Sequence, residues 1–217
     1  MFFNKPKAKY NFLNDKDDDV YNVFRQLLDN KEELVYWLSI VPITEIQFKK
    51  WSSGEKENSP VMNAVRFLVL SNYGFYGTTG SLRGAACNVI EIILQNIDLT
   101  FKYLSDAMFY NVDFRDLFKK IDTRTIQGNS FCYADPPYLA SVDNYSDSFN
   151  QQDSIDLFDT LQNINMRFAM SEFDNPFILQ QAAERKLNVI YVCERRNLGN
   201  RRTEILVTNY KTNPTLF

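Results

Sequence analysis

The sequence predicts an α/β fold, a mostly parallel sheet covered by helices and closed by an antiparallel hairpin, and three observations point to it. From residue 107 onward, short apolar runs alternate with amphipathic stretches of helical length, the rhythm of strand, helix, strand. The runs end in loops rich in Asp, Asn and Pro, and open parallel sheets place their ligands at such carboxyl ends. The last two runs, 189–192 and 205–207, flank Asn197-Leu198-Gly199-Asn200, a turn-like stretch that joins them as a hairpin.

The elements follow in order. Residues 10–13 read as a strand that runs into the acidic cluster Asp15-Lys16-Asp17-Asp18-Asp19. A helix follows with Val20, Phe24, Leu27 and Leu28 on one face and an acidic first turn that suits the helix dipole. Thr44-Glu45-Ile46-Gln47 has capping-box spacing and opens a short helix; 52–59 is a polar loop and 60–72 a long apolar helix. The glycine-rich stretch 74–84 reads as a flexible loop. It is no phosphate cradle, because no Lys-Ser/Thr pair follows at P-loop spacing. Residues 87–96 return to helix.

A strand over 108–112 leads to Asp113-Phe114 and a helix over 114–121. Residues 131–134 form the next strand, and a helix begins near Asp153. A strand over 167–170 precedes a helix with Asn175 as its cap and Pro176 at its first position.

Composition narrows the chemistry. The 217 residues suffice for one large domain or one domain carrying an insertion. No signal peptide is evident and no apolar run reaches the roughly 20 residues of a membrane span, so a cytoplasmic protein is expected, with no membrane association. Cys87, Cys132 and Cys193 are odd in number and widely spaced, as reduced core thiols are, and no metal site is expected. The chain has no histidine, which removes Ser-His and Cys-His nucleophilic pairs and imidazole proton shuttles. Chemistry is left to carboxylates, backbone groups and aromatics, or to a cofactor.

The net charge of −3 weighs weakly against nonspecific nucleic-acid binding. Distribution overrides the sum where Arg195-Arg196 and Arg201-Arg202 bracket the hairpin turn and suit a phosphate backbone; a solvated basic loop is the plainer alternative.

The most pointed string is Asp135-Pro136-Pro137-Tyr138. The prolines end the preceding strand, fix φ and remove two backbone donors, leaving a stiff, acceptor-rich loop. Asp135 adds a carboxylate and Tyr138 an aromatic face, so an amino group and the planar heterocycle bearing it can both be held. Adenine and a planar amide share that description. An ordinary Asp-Pro turn is the plain alternative.

These residues, in this order, resemble the Dam-like, alpha-group adenine-specific DNA methyltransferases, particularly those of phages and prophages. Asp135 to Tyr138 match the family's catalytic DPPY motif. Phe12-Leu13-Asn14-Asp15 resembles the second-strand motif, Asp113-Phe114 the third, and Phe168-Ala169-Met170-Ser171 the strand beside the target-base pocket. The stretch from Arg202 to Tyr210 resembles the closing strand.

The resemblance implies a Rossmann-like S-adenosylmethionine-dependent fold. Residues 1–36 and 106–217 would form its catalytic domain, and 37–105 the target-recognition insertion. It implies double-stranded DNA as partner and S-adenosylmethionine as cofactor, with Asp15 on the ribose hydroxyls and Asp113 on the adenine amino group. Phe114 would pack beside that adenine, and Asp135 would lie against the cofactor. Tyr138 and Ser171 would face a flipped target adenine, and Arg195, Arg196, Arg201 and Arg202 the DNA. Singly, Asp15 or Asp113 would read as a helix-capping acid.

The family's FxGxG strand and loop would directly precede Phe2, where the sequence begins. The expectation is therefore of a truncated sheet whose central strand comes from an upstream fragment or from self-association. A catalytically incomplete DNA-binding or adenine-binding remnant is the alternative. RNA or a protein amide as substrate ranks lower, since such enzymes tend to carry Asn where this chain has Asp135.

Overall fold

The computed structural model describes residues 2–75, 78–82, 88–121, 129–139, 149–197 and 200–211; within it, the side chains of 75, 78–82, 195–197, 200 and 201 are outside the description. The chain divides into two compact units, Met1–Asp113 and Phe114–Phe217, each described by itself.

In the first unit, β1 (Asn11–Asn14) pairs in parallel with β4 (Ala107–Tyr110), Asn14 lying opposite Tyr110. Between them come α1 (Asp18–Asp29), α2 (Lys31–Ile40), α3 (Glu45–Ser52), α4 (Pro60–Tyr73) and α5 (Val89–Leu104). Each start has its own chemistry. Asp17 caps α1 by accepting from the Asp19 and Val20 N–H groups, and Thr44, Ser59 and Asn88 cap α3, α4 and α5 in the same manner. Leu34, Leu38, Phe48, Trp51 and Val65 fill the core these helices share.

Two readings change here. α2 was not expected, because Lys31–Ile40 scatters its apolar residues around the helix, and only Leu34 and Leu38 are buried. The glycine-rich stretch holds an antiparallel pair, β2 (Gly74–Phe75) and β3 (Thr78–Leu82), where a loop was expected; Tyr76, Gly77, Arg83 and Gly84 are outside the described residues. Backbone pairing across the stretch outweighs the low strand preference of its glycines.

The second unit contains α6 (Phe114–Lys120), β5 (Phe131–Ala134), α7 (Gln151–Asn163), β6 (Arg167–Phe173), α8 (Pro176–Glu184), β7 (Asn188–Asn197) and β8 (Asn200–Thr208). Its sheet has the order β5-β6-β8-β7. β5 and β6 are parallel, whereas β6–β8 and β7–β8 are antiparallel. The expected mostly parallel sheet therefore holds for β1–β4 and β5–β6 but not for this sheet as a whole. The closing hairpin inserts β8 beside β6 and accounts for two of its three pairings.

α7 begins with a reciprocal capping box between Asn150 and Asp153, and α8 with the Asn175 cap and Pro176. Arg115 on α6 pairs with Asp153 and Asp156 on α7. Phe158, Leu161, Ile178, Phe168, Met170 and Val207 pack the helices onto one sheet face. Alternation along β6 sets Phe168, Met170 and Glu172 on that face, with Ala169 and Ser171 on the other.

Cys132 is half-buried, and burial pushes its thiol up to about 11, as expected of an inert core thiol. Cys193 is exposed, contrary to expectation, on a stretch where the β7–β8 register shifts between Tyr191 and Cys193. Cys87 lies outside the described residues. Among the described residues, no helix is long and apolar enough to cross a membrane, and no acidic or cysteine cluster is arranged to hold a metal ion.

Candidate active site

The carboxyl ends of β5 and β6 lie side by side because the strands are parallel, with Ala134 opposite Met170. This brings Asp135-Pro136-Pro137-Tyr138 next to Ser171, Glu172 and Phe173. β8 runs the other way, and its register sets Glu204 opposite Phe173 at the same end. Three strands thus deliver one cluster.

Asp135 is exposed at the head of the loop, and Oδ1 accepts from the Ser171 hydroxyl at 2.6 Å. Ser171 is fully buried, and its hydroxyl has the Ala134 carbonyl oxygen at 3.4 Å as a more distant second acceptor. Among the described residues, no donor reaches Asp135 Oδ2 or the Pro136 carbonyl oxygen. The loop therefore presents one carboxylate oxygen and one carbonyl oxygen with lone pairs available.

Tyr138 is half-buried. Its ring meets Phe173 edge to face, with centroids 4.6 Å apart, and its hydroxyl donates to Glu204 Oε1 at 3.1 Å. Burial pushes the phenol well above its usual range and the Asp135 and Glu204 charges add to this, while a hydrogen bond with Ser171 opposes it. The guanidinium of Arg202 stands over the Phe173 ring at 5.4 Å. Arg202 thereby joins this cluster through an aromatic contact.

Glu172 was not singled out in the sequence. It is 1% exposed, and its carboxylate accepts from the Leu139 and Phe173 N–H groups. Burial pushes its carboxyl up to about 7 against the pull of those two N–H groups, with Asp135 adding to the rise and Arg202 opposing it. A Glu inside an apolar strand run was the available signal. Glu204, the acceptor for Tyr138, lies in the stretch that resembles the closing strand and carries no signal of its own there.

The first unit presents a different set. Asp15 follows β1, and Asp113 lies three residues beyond β4. Asn14 ties the two loops, accepting from the Val112 N–H and donating to the Val112 carbonyl, while Asn111 donates to the Asp15 and Lys16 carbonyls. Asp15 is exposed and accepts from the Asp17 N–H at 2.9 Å; Asp113 lies 3.8 Å from the Lys16 ammonium. The helix-capping role belongs to Asp17 rather than Asp15. Both acids stand at the carboxyl end of the parallel pair.

Phe114 opens α6 in the second unit, half-buried, 6.3 Å from the Phe149 ring and beneath the Arg115 guanidinium at 4.4 Å. The β7–β8 register sets Arg195 opposite Arg202 and Arg196 opposite Arg201. The side chains of Arg195, Arg196 and Arg201, and residues Leu198 and Gly199, lie outside the description.

The chain is similar to the modification methylase StsI of Streptococcus sanguinis, with 29% identity over 140 residues, a match covering 55% of this chain and 20% of that protein. It thus spans about a fifth of that relative's length. No family model matches the chain.

Proposed function

We propose that this chain carries the base-binding site of a site-specific DNA methyltransferase of the Dam-like, alpha-group, phage type, which transfers a methyl group to the exocyclic amine of adenine in double-stranded DNA. The observation that carries this reading is Asp135, exposed at the carboxyl end of β5 and oriented by Ser171, followed by Pro136, Pro137 and Tyr138. The similarity to a modification methylase supports methyl transfer.

A base inside the duplex is out of reach, so the adenine leaves the stack at a cost of a few kcal/mol. Asp135 and the Pro136 carbonyl accept its two amino hydrogens, and Tyr138 stacks on the ring. These bonds turn the nitrogen lone pair away from the ring. As the N–CH3 bond forms, the S–CH3 bond would break and leave a neutral thioether; the nitrogen, then positively charged, would lose its proton to the Asp135 carboxylate or to water without a strong base, so orientation and electrostatics carry the step.

S-adenosylmethionine supplies the methyl group on a sulfonium sulfur. The acids after β1 and β4 fit it chemically, since a ribose diol and an adenine amino group are donors and carboxylates accept. Asp15 is assigned the first role and Asp113 the second, with Phe114 and Asp135 as further cofactor contacts. Residues 37–105 are proposed to recognise the target sequence. Arg195, Arg196, Arg201 and Arg202, which the β7–β8 register sets on facing strand positions, are proposed to meet phosphates.

The test is incubation with duplex DNA and methyl-labelled S-adenosylmethionine, followed by nucleoside analysis. Label in N6-methyladenine that disappears with Asp135→Ala is the expected result. Unimpaired transfer by that variant would falsify the assignment.

A second reading is favoured by β5, which has one neighbour in its sheet among the described residues. Phe131 and Tyr133 on that strand are 47% and 36% exposed, whereas strands of parallel sheets are normally flanked and covered. In this reading the chain is incomplete until an upstream fragment carrying the FxGxG strand, or a second copy, adds to that edge. Calorimetric titration with S-adenosylmethionine separates the two: saturable binding to the chain alone favours the first, and binding only after the fragment is added favours the second.

A further inference from the structure

The row Phe168, Met170, Glu172 on the packed face of β6 ends in a carboxylate where an apolar side chain would continue the core. A buried carboxylate persists only where donors replace its lost water, and here both donors are backbone groups. Leu139 N–H lies 3.0 and 3.2 Å from the two oxygens, and Phe173 N–H 3.0 Å from the first. Phe173 is the neighbour of Glu172 in sequence. Leu139 is 33 residues away and is the first residue beyond Tyr138.

That position matters because of the prolines. Pro136 and Pro137 have no N–H, so the loop has few backbone donors by which it can be held. Glu172 takes the one that closes it. The head of the loop is held by the preceding residue of the same strand, Ser171, through the Asp135 carboxylate. Successive strand residues point to opposite faces, so the two ends of the loop are gripped from the two sides of one strand.

We infer that Glu172 is a positioning residue for the Asp135–Tyr138 loop. By anchoring the Leu139 N–H it sets, together with Ser171, where the Asp135 carboxylate and the Tyr138 ring stand. The catalytic consequence rests on the methyl-transfer reading; the anchoring does not.

Amide hydrogen exchange at Leu139, followed by NMR on the full chain, tests the anchoring. In the unaltered protein this amide exchanges slowly, and in Glu172→Ala it exchanges at least about tenfold faster while the amides of β7 and β8 keep their protection. Glu172→Gln retains an oxygen facing Leu139 and restores most of the protection. Free exchange of Leu139 in the unaltered protein overturns the inference, as does an alanine variant that exchanges like the parent. Should the alanine variant not fold, Glu172→Met, which keeps the volume and removes the acceptor, decides: faster exchange at Leu139 supports the anchor and parent-like exchange overturns it.

Single-turnover methylation tests the consequence. Glu172→Ala lowers the rate on the order of tenfold or more with the KM for cofactor unchanged, and Gln recovers most of it. A rise in KM alone overturns the positioning role. If neither the unaltered chain nor the chain supplemented with an upstream fragment carrying the FxGxG strand transfers a methyl group, the methyl-transfer reading fails, and the exchange result still decides the anchor.

Discussion

The Tyr138 hydroxyl donates to Glu204 Oε1 at 3.1 Å, which ties the loop after β5 to β8, a strand that is not its neighbour in the sheet. The bond fixes the ring about its long axis, with Phe173 against it. Tyr138→Phe removes the bond and keeps the ring; it should cost about 1 kcal/mol in urea unfolding and leave methyl transfer within a few fold. Tyr138→Ala removes the stacking surface and should lower transfer much further.

Burial, reinforced by Asp135 and Glu204, holds the Tyr138 phenol in its protonated, donating form. Difference absorbance titration of the parent against Tyr138→Phe should show no phenolate from Tyr138 at pH values near 10, where ordinary tyrosines ionise. Ionisation of Tyr138 at that ordinary value would contradict the buried, doubly acidic setting.

Ser171→Ala leaves Asp135 without its oriented donor while changing little volume. We expect a fall in single-turnover methyl transfer on the order of tenfold and a stability loss of about 1 kcal/mol. Asp135→Ala should abolish transfer, and its DNA affinity should stay near that of the parent.

Burial pushes the Glu172 carboxyl of the folded chain up to about 7, from the 4.5 of an ordinary glutamate. The folded state therefore binds more protons between those values, so stability should fall as pH rises from 4.5 through 7, by about 3 kcal/mol in all. Burial is the main cause; of the charged groups facing Glu172, Asp135 from the β5 loop adds to the rise and Arg202 from β8 opposes it. Urea unfolding at pH 5 and pH 8 checks the sign. In Glu172→Gln the decline should shrink by most of that amount.

Arg195 and Arg196 are the cleanest probes of the hairpin, because Arg202 also contacts Phe173. Replacing both by Ala should weaken DNA binding equally on all sequences and flatten the salt dependence, lowering the slope of log affinity against log salt by about 2. An unchanged slope would remove the hairpin from the DNA interface.

The loop itself was legible because its chemistry is local: two prolines, a carboxylate and an aromatic within four residues state their own geometry. Asn175-Pro176 announced α8 for the same reason. What the sequence did not reveal depends on register. Glu172 stands out only as an acid inside an apolar run, and its place under the loop follows from its alternation with Met170; Glu204 gains its role only from standing opposite Phe173. The 74–84 stretch misled because its glycines outweighed a pairing that only the backbone shows, and α2 was missed because its apolar residues do not gather on one face.

Ser171 and Glu172 do opposite jobs on opposite faces of β6, and this limits how the gene can drift. Single substitutions in β6 alter one grip at a time. Insertion or deletion of one codon upstream in the strand would exchange the faces, turning the serine into the core and the glutamate outward, so that both grips fail at once. The segment from Arg167 to Glu172 should therefore tolerate exchanges of residue type far better than any change of length.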